Sequence, residues 1–367
     1  MAKHRVRRFG ILTSGGDCPG LNAAIRGVAK AATGLYGMTA VGISNGYRGL
    51  IEGDARELSN DDFSGILTQG GTILGSSREK PFKARDDGSS DAESVQDKPE
   101  LIMENVSRLQ LDALVVLGGN GTNTTAHLLA QEGLNVIGLP KTIDNDIWGT
   151  DVTFGFHSAM EIATESIDRL HSTAHSHNRV MVIELMGHKA GWLALYAGIA
   201  GGGDVILIPE IPYEAAAVAR DIERRCAQGK QFSIVVVAEG ALSKEEAALS
   251  KKDRKKFREK MPFPSIGYRV SAEIQAATDM ETRVTVLGYL QRGGTPSPYD
   301  RVLATAFGTA AAGLLADGRF GMMVAMNGAS IGTVPLAQVA GKTKTVPTDN
   351  FMLDTARHVG TCFGDED

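Results

Sequence analysis

The sequence carries no surplus of positive charge. Its 38 Lys and Arg stand against 43 Asp and Glu, a formal net charge of -5 over 367 residues. No basic stripe with interleaved aromatics occurs, so the electrostatic footprint of a nucleic-acid binder is missing and nucleic acid is excluded as a partner. Long apolar runs are absent as well. A helix that crosses a bilayer needs about 20 apolar residues in succession, and nothing approaches that, which excludes a membrane span. Cysteine is scarce: Cys18, Cys226 and Cys362 are odd in number and far apart, which suits a reducing compartment, the cytoplasm, rather than a disulfide framework. The basic opening Lys3, His4, Arg5, Arg7 and Arg8 runs into the short apolar stretch Phe9 to Leu12. It has neither the apolar core nor the cleavage site of a secretory signal, and reads as a first strand. No repeat of fixed period is visible, so solenoids and propellers drop out.

What remains is the composition of an ordinary folded protein, 43% apolar and 22% charged, in a chain longer than one hydrophobic core serves. Two core-bearing lobes are expected. Glycine is the excess, 44 residues, or about 12% against a usual share of about 7%, and it clusters just after apolar runs. Short β-rich runs alternate with helical stretches: 8–12, 39–43, 113–117, 136–139, 180–185, 205–208, 233–238 and 283–287. Continuous apolar runs of this kind suit strands buried on both faces, so the fold class is α/β, with largely parallel sheets wrapped by helices. Ligands then bind beyond the carboxyl ends of the strands. The polar segment Asp86 to Pro99 reads as an exposed loop before a helix at 101–109. Lys251 to Lys260, with seven Lys or Arg, reads as a solvated helix face that Phe257 anchors.

Three segments carry the chemistry. The first strand runs into Thr13-Ser14-Gly15-Gly16-Asp17-Cys18-Pro19-Gly20 and then into helix formers, a strand, glycine turn and helix that can face backbone N–H groups toward an anion. A tight turn needing positive φ explains the same residues. Neither the dinucleotide fingerprint nor the Walker spacing is present. A second turn, Gly118-Gly119-Asn120-Gly121-Thr122, follows the strand at 113–117, and its amide and hydroxyl side chains suit phosphate oxygens. The third, Pro140-Lys141-Thr142-Ile143-Asp144-Asn145-Asp146, closes the next strand. In an extended segment Thr142, Asp144 and Asp146 would share one face, with Lys141 and Asn145 on the other.

These three segments in this order resemble the phosphofructokinase family, and Pro-Lys-Thr-Ile-Asp-Asn-Asp is similar to its signature. The resemblance continues through Met186-Gly187-His188, Glu239-Gly240 and the run from Thr282 to Gly294, so it covers nearly the whole chain. It implies two Rossmann-like three-layer lobes, 1–155 with about 291–341 for the donor and 156–290 with about 342–367 for fructose 6-phosphate. It further implies a phosphotransferase of glycolysis that uses Mg2+ and either ATP or pyrophosphate. Asp144 would be the general base toward the sugar 1-hydroxyl. Thr142 would bind near the transferred phosphoryl group or the sugar, and Asp146 would help hold the magnesium shell or orient the base. Arg78 would reach between donor and acceptor, and Gly16 would join the catalytic set. The donor would meet Gly15, Gly16, Arg78, Gly118, Gly119, Asn120, Gly121 and Thr122, with Gly121 and Lys141 setting donor choice. The sugar phosphate would meet Thr142, Ile143, Asp144, Arg179, Met186, Gly187, His188, Glu239, Arg283, Tyr289 and Arg292. In the family the residues matching Arg179 and Arg283 serve a neighbouring subunit, which implies a homo-oligomer, by default a homotetramer.

The chain departs from the familiar pattern at several positions. Asn120 stands where many relatives carry an acid beside magnesium, and a neutral ligand weakens a hard-cation site. Gly121 leaves the room that ATP users need, whereas Lys141 occurs both in pyrophosphate users and in ATP users that keep the preceding glycine. The expectation is therefore ATP, with reversible pyrophosphate-dependent transfer as the alternative. His188 and Tyr289 replace a frequent arginine and histidine, so fructose 6-phosphate is favoured and sedoheptulose 7-phosphate is a second sugar to test. A sensor that kept the fold without catalysis is the reading of another class.

Overall fold

The computed structural model describes residues 6–82 and 98–365. Most of the loop expected at 86–99 thus lies outside the described residues, and Pro99 is the first residue of the helix Pro99–Arg108. Eleven strands are present among the described residues: β1 (Arg8–Ser14), β2 (Thr39–Ile43), β3 (Ala55–Glu57), β4 (Ala113–Gly118), β5 (Val136–Pro140), β6 (Val180–Leu185), β7 (Val205–Leu207), β8 (Ser233–Ala238), β9 (Thr282–Val286), β10 (Met322–Asn327) and β11 (Ser330–Pro335). The fold is α/β with mainly parallel sheets, as the alternation of runs implied. The sequence reading missed β3, β10 and β11. Methionine-rich β10 has a single β-branched residue, Val324, to mark it as a strand, and β3 is only three residues long. The β10–β11 hairpin turns on Gly328 and Ala329, with Gly328 at φ 59° as a two-residue turn demands.

The chain divides into two compact units. The first comprises 1–143, 147–158 and 292–343, and the second 144–146, 159–291 and 344–367. The first holds a seven-stranded sheet in the order β11-β10-β5-β4-β1-β2-β3, parallel except for β3 and β11 at its edges. All of β4 is buried, and the core on this sheet is built from Leu12, Val41, Leu114, Val116 and Val136 with Ile102 and Leu129 from helices. The helices Leu21–Tyr36 and Pro298–Asp317 touch backbone to backbone: a Cβ on Gly27 would stand 2.8 Å from the Thr305 carbonyl, and one on Gly308 would stand 2.6 Å from Val28 N. Part of the glycine excess therefore serves helix packing, because only glycine allows so close an approach.

The second unit holds a four-stranded, all-parallel sheet in the order β7-β8-β6-β9. Its core joins Val180, Val182, Val235 and Val237 to Val218, Ile222 and Ile274 of helices. The outer edge of β7 is covered by the chain's own Cys362, whose carbonyl accepts from Ile206 N at 2.9 Å and whose N–H donates to the Asp204 carbonyl at 2.9 Å. No described strand covers the outer edge of β9. Within β6 the buried Glu184 carboxylate accepts from Ser265 Oγ at 2.5 Å and from Gly267 N at 2.7 Å. It thereby meets orphan donors at the start of the helix Ile266–Ala277. The helix Lys251–Glu259 buries no residue. It is fastened by Arg258, which pairs with the fully buried Glu246 at 2.8 Å, and by Arg254, which donates to the Glu246 carbonyl at 3.0 Å. Phe257 lies under the Arg269 guanidinium at 5.5 Å, so this face is solvated but anchored.

No described helix is long and apolar enough to cross a membrane. Glu184→Ala strands the buried Gly267 N–H and the half-buried Ser265 hydroxyl that a carboxylate satisfied, and a loss of about 3 kcal/mol in unfolding free energy is expected. Glu184→Gln keeps an acceptor and loses less, and urea denaturation of the two variants checks the order.

Candidate active site

In the first unit β1 lies between β2 and β4, and the chain reverses its direction of strand addition there. Such a switch point leaves a crevice beyond the carboxyl ends of the two neighbouring strands. The last register pair, Ser14 with Gly118, sets the two glycine turns side by side. Gly15 takes φ 86°. Its N–H donates to the Ser77 carbonyl at 2.9 Å, and its own carbonyl accepts from Ser76 Oγ at 2.5 Å. Thr13 Oγ1 donates to the Gly75 carbonyl at 2.6 Å. These bonds stitch 75–77 along the first turn, leaving Arg78 exposed at its end.

The second turn opens the helix Asn120–Gln131. Thr122 Oγ1 donates to the Ser14 carbonyl at 3.3 Å, tying one turn to the other, and Tyr47 Oη donates to the Thr122 carbonyl at 2.9 Å. A Cβ on Gly118 would fall 2.2 Å from Thr122 Cβ, whereas one on Gly121 would meet nothing within 4 Å. The buried Lys141 follows β5; its N–H donates to the Gly118 carbonyl at 3.1 Å and its ammonium donates to the Gly16 carbonyl. A Cβ on Gly15 would lie 3.8 Å from both Lys141 Nζ and Thr122 Oγ1. The cradle thus gathers two glycine turns, a hydroxyl and a cation. Thr142 is held through its carbonyl by Thr153 Oγ1 at 2.7 Å. Arg292 sits against the first turn, with Nη1 donating to the Asp17 carbonyl at 3.0 Å and close enough that a Cβ on Gly16 would lie 2.9 Å from it.

Asp144, Asn145 and Asp146 are all buried and are grouped with the second unit. Asn145 takes φ 51°, the left-handed region, so the extended alternation expected for Thr142, Asp144 and Asp146 does not run through it. The segment bends because asparagine tolerates that conformation at little cost.

The remaining sugar-side candidates sort by strand end. Met186, Gly187 and His188 follow β6, Glu239 follows β8, and Tyr289 follows β9, all beyond carboxyl ends. Glu239 Oε1 accepts from His188 N at 2.7 Å, and a Cβ on Gly240 would lie 2.2 Å from the His188 carbonyl, so the two loops interlock. Arg179 and Arg283 lie at the opposite end. Arg179 precedes β6, and Arg283 is the second residue of β9. Both pair with the exposed Glu281, whose carboxyl the Arg179 guanidinium holds below the usual range. Seven residue steps along β6 are about 23 Å, so Arg179 and Met186 of one chain do not meet at one phosphate.

The sequence reading missed the residues that support these groups: Ser76 and Tyr47 in the first unit, and Lys344, Trp192 and Glu210 in the second. Ser76 stands inside Gly75-Ser76-Ser77-Arg78 and was within reach of a motif reading. The others lie in segments with no motif.

A switch-point crevice floored by paired glycine turns defines an α/β phosphate-binding protein. The chain belongs to the phosphofructokinase family, whose sequence model matches residues 8–315. It is similar to the ATP-dependent 6-phosphofructokinase of Spirochaeta thermophila, 70% identical over 365 residues and all of both chains. It is also similar to ATP-dependent 6-phosphofructokinase 3 of Bacteroides thetaiotaomicron, 52% identical over 97% of this chain and 100% of that one. Among solved structures, phosphofructokinase from Saccharomyces cerevisiae matches with TM-score 0.78 and 31% identity over 91% of this chain, which spans 45% of the longer yeast chain. A pyrophosphate-dependent phosphofructokinase from Marinobacter aquaeolei shares the fold at TM-score 0.78 and 24% identity, over 98% of this chain and 88% of that one.

Gly118→Ala forces Thr122 out of the cradle. The expected result is a lower melting temperature, by the cost of overpacking, about 1–3 kcal/mol, together with loss of the stabilisation that ATP or pyrophosphate gives the wild type in a thermal-shift titration.

Proposed function

We propose that the protein transfers the γ-phosphoryl group of ATP to the 1-hydroxyl of fructose 6-phosphate, giving fructose 1,6-bisphosphate. The observation that carries the reading is the pair of glycine turns joined at Ser14 and Gly118, with the Lys141 ammonium and Thr122 hydroxyl beside Gly15. Backbone N–H groups and a helix N-terminus there suit the donor phosphates. The open space beyond Gly121 supports a nucleotide, and Lys141 is engaged by the loop's own carbonyl. The names of the two relatives, at 70% and 52% identity, support the same donor.

Asp144 takes the proton of the 1-hydroxyl as that oxygen bonds to phosphorus and the bond from phosphorus to the β-phosphate oxygen breaks, releasing ADP. Thr142, Arg78 and Gly16 serve the transferred group, with Arg78 spreading its planar guanidinium over developing charge. Gly15, Gly118, Gly119, Asn120, Gly121 and Thr122 hold the donor. Glu239, already holding His188 N, offers its second oxygen to a sugar hydroxyl. The family resemblance assigns Met186, Gly187, His188, Tyr289, Ile143 and Arg292 to the sugar phosphate, and of these Arg292 is held on the first turn through the Asp17 carbonyl. Sedoheptulose 7-phosphate is a further acceptor to assay.

The donor set fits magnesium, the family's general metal. Among the described residues no three His, Cys, Asp or Glu side chains form a cage, and Mg2+ characteristically keeps waters and phosphate oxygens and takes only one or two carboxylates. Asn120, at the start of its helix, and Asp146 would hold its water shell. When bound, the ion neutralises charge on the donor phosphates.

The protein works as a homo-oligomer, by default a homotetramer, in which Arg179 and Arg283 serve a neighbouring copy. Arg179, about 23 Å from Met186 along β6, and Arg283, which pairs with Met181 and so lies about 17 Å from it, support this reading together with the uncovered edge of β9, where Val286, Tyr289 and Leu290 are exposed. Three free cysteines agree with a cytoplasmic home.

Purified protein assayed with magnesium, fructose 6-phosphate and either donor tests the proposal. Higher kcat/KM with ATP is expected. Preference for pyrophosphate would assign donor choice to Lys141, and silence with both donors would favour a sensor. Asp144→Asn should lower kcat by about 10²- to 10⁴-fold. A mixture of Asp144→Asn and Arg283→Ala, each inactive alone, should regain activity after subunit exchange, and continued silence of the mixture would contradict shared sites.

A further inference from the structure

The turn Asp144–Asp146 places two carboxylates on either side of the left-handed Asn145, a conformation that asparagine tolerates but does not choose by itself, so the surroundings select it. Within the second unit the surroundings are supplied from the far end of the chain. The Lys344 backbone N–H donates to the Asp146 carbonyl at 2.7 Å. The Lys344 ammonium donates to Asn145 Oδ1 at 3.0 Å, across 199 residues of sequence. One residue therefore grips both the backbone and the side-chain amide of the turn.

Lys344 is itself held on its other side. Its ammonium stands 5.4 Å from the ring centroid of Trp192, and Trp192 Nε1 donates to the Lys344 carbonyl at 3.1 Å. Two residues on, Val346 N donates to Glu210 Oε1 at 2.8 Å, and the same carboxylate accepts Gly191 N at 2.9 and 3.1 Å. Glu210 thus ties the strap 344–346 to the residue that precedes Trp192. Trp192 and Val346 are buried. The strap is fastened at Lys344 and Val346, and what it presents to the turn is a cation and a backbone N–H.

We infer that Lys344 is a positioning residue for phosphoryl transfer: it fixes the Asp144–Asp146 turn so that Asp144 meets the acceptor hydroxyl in reactive geometry. The inference rests on Asp144 as the base. A methionine in place of Lys344 keeps much of the length of the side chain and removes the ammonium that grips Asn145. A misplacement of about 1 Å at a reacting group costs on the order of 100-fold. The loss therefore falls on kcat, since neither the glycine cradle nor the Met186 and Glu239 loops depend on this contact.

The experiment compares wild type, Asp144→Asn, Lys344→Met, Lys344→Arg and Trp192→Phe by steady-state kinetics and melting temperature. Lys344→Met should lower kcat about 10- to 100-fold with KM for both substrates within about two-fold. Lys344→Arg, which keeps a cationic donor, should regain much of that loss, and Trp192→Phe, which removes the N–H to the Lys344 carbonyl, should lower kcat several-fold. Unchanged kcat in Lys344→Met, or a loss carried by KM, overturns the inference while an inactive Asp144→Asn leaves the proposed reaction standing. Full activity of Asp144→Asn would instead overturn the reading of the base. If Lys344→Met does not fold, Lys344→Arg and Trp192→Phe decide: full activity in Trp192→Phe, or equal losses of kcat and stability in both, counts against positioning.

Discussion

The parallel pairing of β1 with β4 is the constraint on which the rest of the first unit depends. Two strands far apart in sequence lie in register to their last residues, Ser14 opposite Gly118. Both then turn outward on glycines at the same height. A slip of one residue would turn every side chain of the strand to the other face of the sheet and would separate the two turns. The Thr122 bond to the Ser14 carbonyl and the absence of room at Gly118 hold the arrangement from both sides. Lys141 and Arg292 are fixed on the first turn by their bonds to the Gly16 and Asp17 carbonyls.

The second unit applies the same rule with a different outcome. Its parallel strands deliver the Met186 and Glu239 loops to one end, where a single hydrogen bond and a close approach at Gly240 lock them together. The opposite end carries Arg179 and Arg283 around Glu281. Strand polarity alone therefore separates groups that the family resemblance assigns to one phosphate.

The parts of this arrangement that could be read from sequence were those written locally. Strands such as those at 136–139 and 233–238 announce themselves by β-branched residues, and the turns after β1 and β4 by glycines that follow directly. β10 hid because Met322, Met323 and Met326 carry no β signature, and the bend at Asn145 hid because an isolated asparagine adopts left-handed and right-handed backbone alike. Lys344, Trp192 and Glu210 could not be read at all. Their meaning arises from contacts across long separations, and a lysine between two threonines has no motif. The basic run 251–260 was legible as a solvated face, but the buried Glu246 that holds Arg258 comes from a separate helix.

The position of Arg179 and Arg283 would have a thermodynamic consequence in the oligomer proposed above. In an oligomer with shared sites, the sugar phosphate is a ligand of two chains at once, and whatever binds the assembled form more tightly than the separated chains stabilises assembly by the same free energy. Substrate concentration and protein concentration then become linked variables: dilution would lower apparent affinity, and saturation would draw dissociated chains back together. Glu281, which pairs with both guanidinium groups in the single chain, would in the proposed oligomer set how much of that linkage energy goes into releasing them.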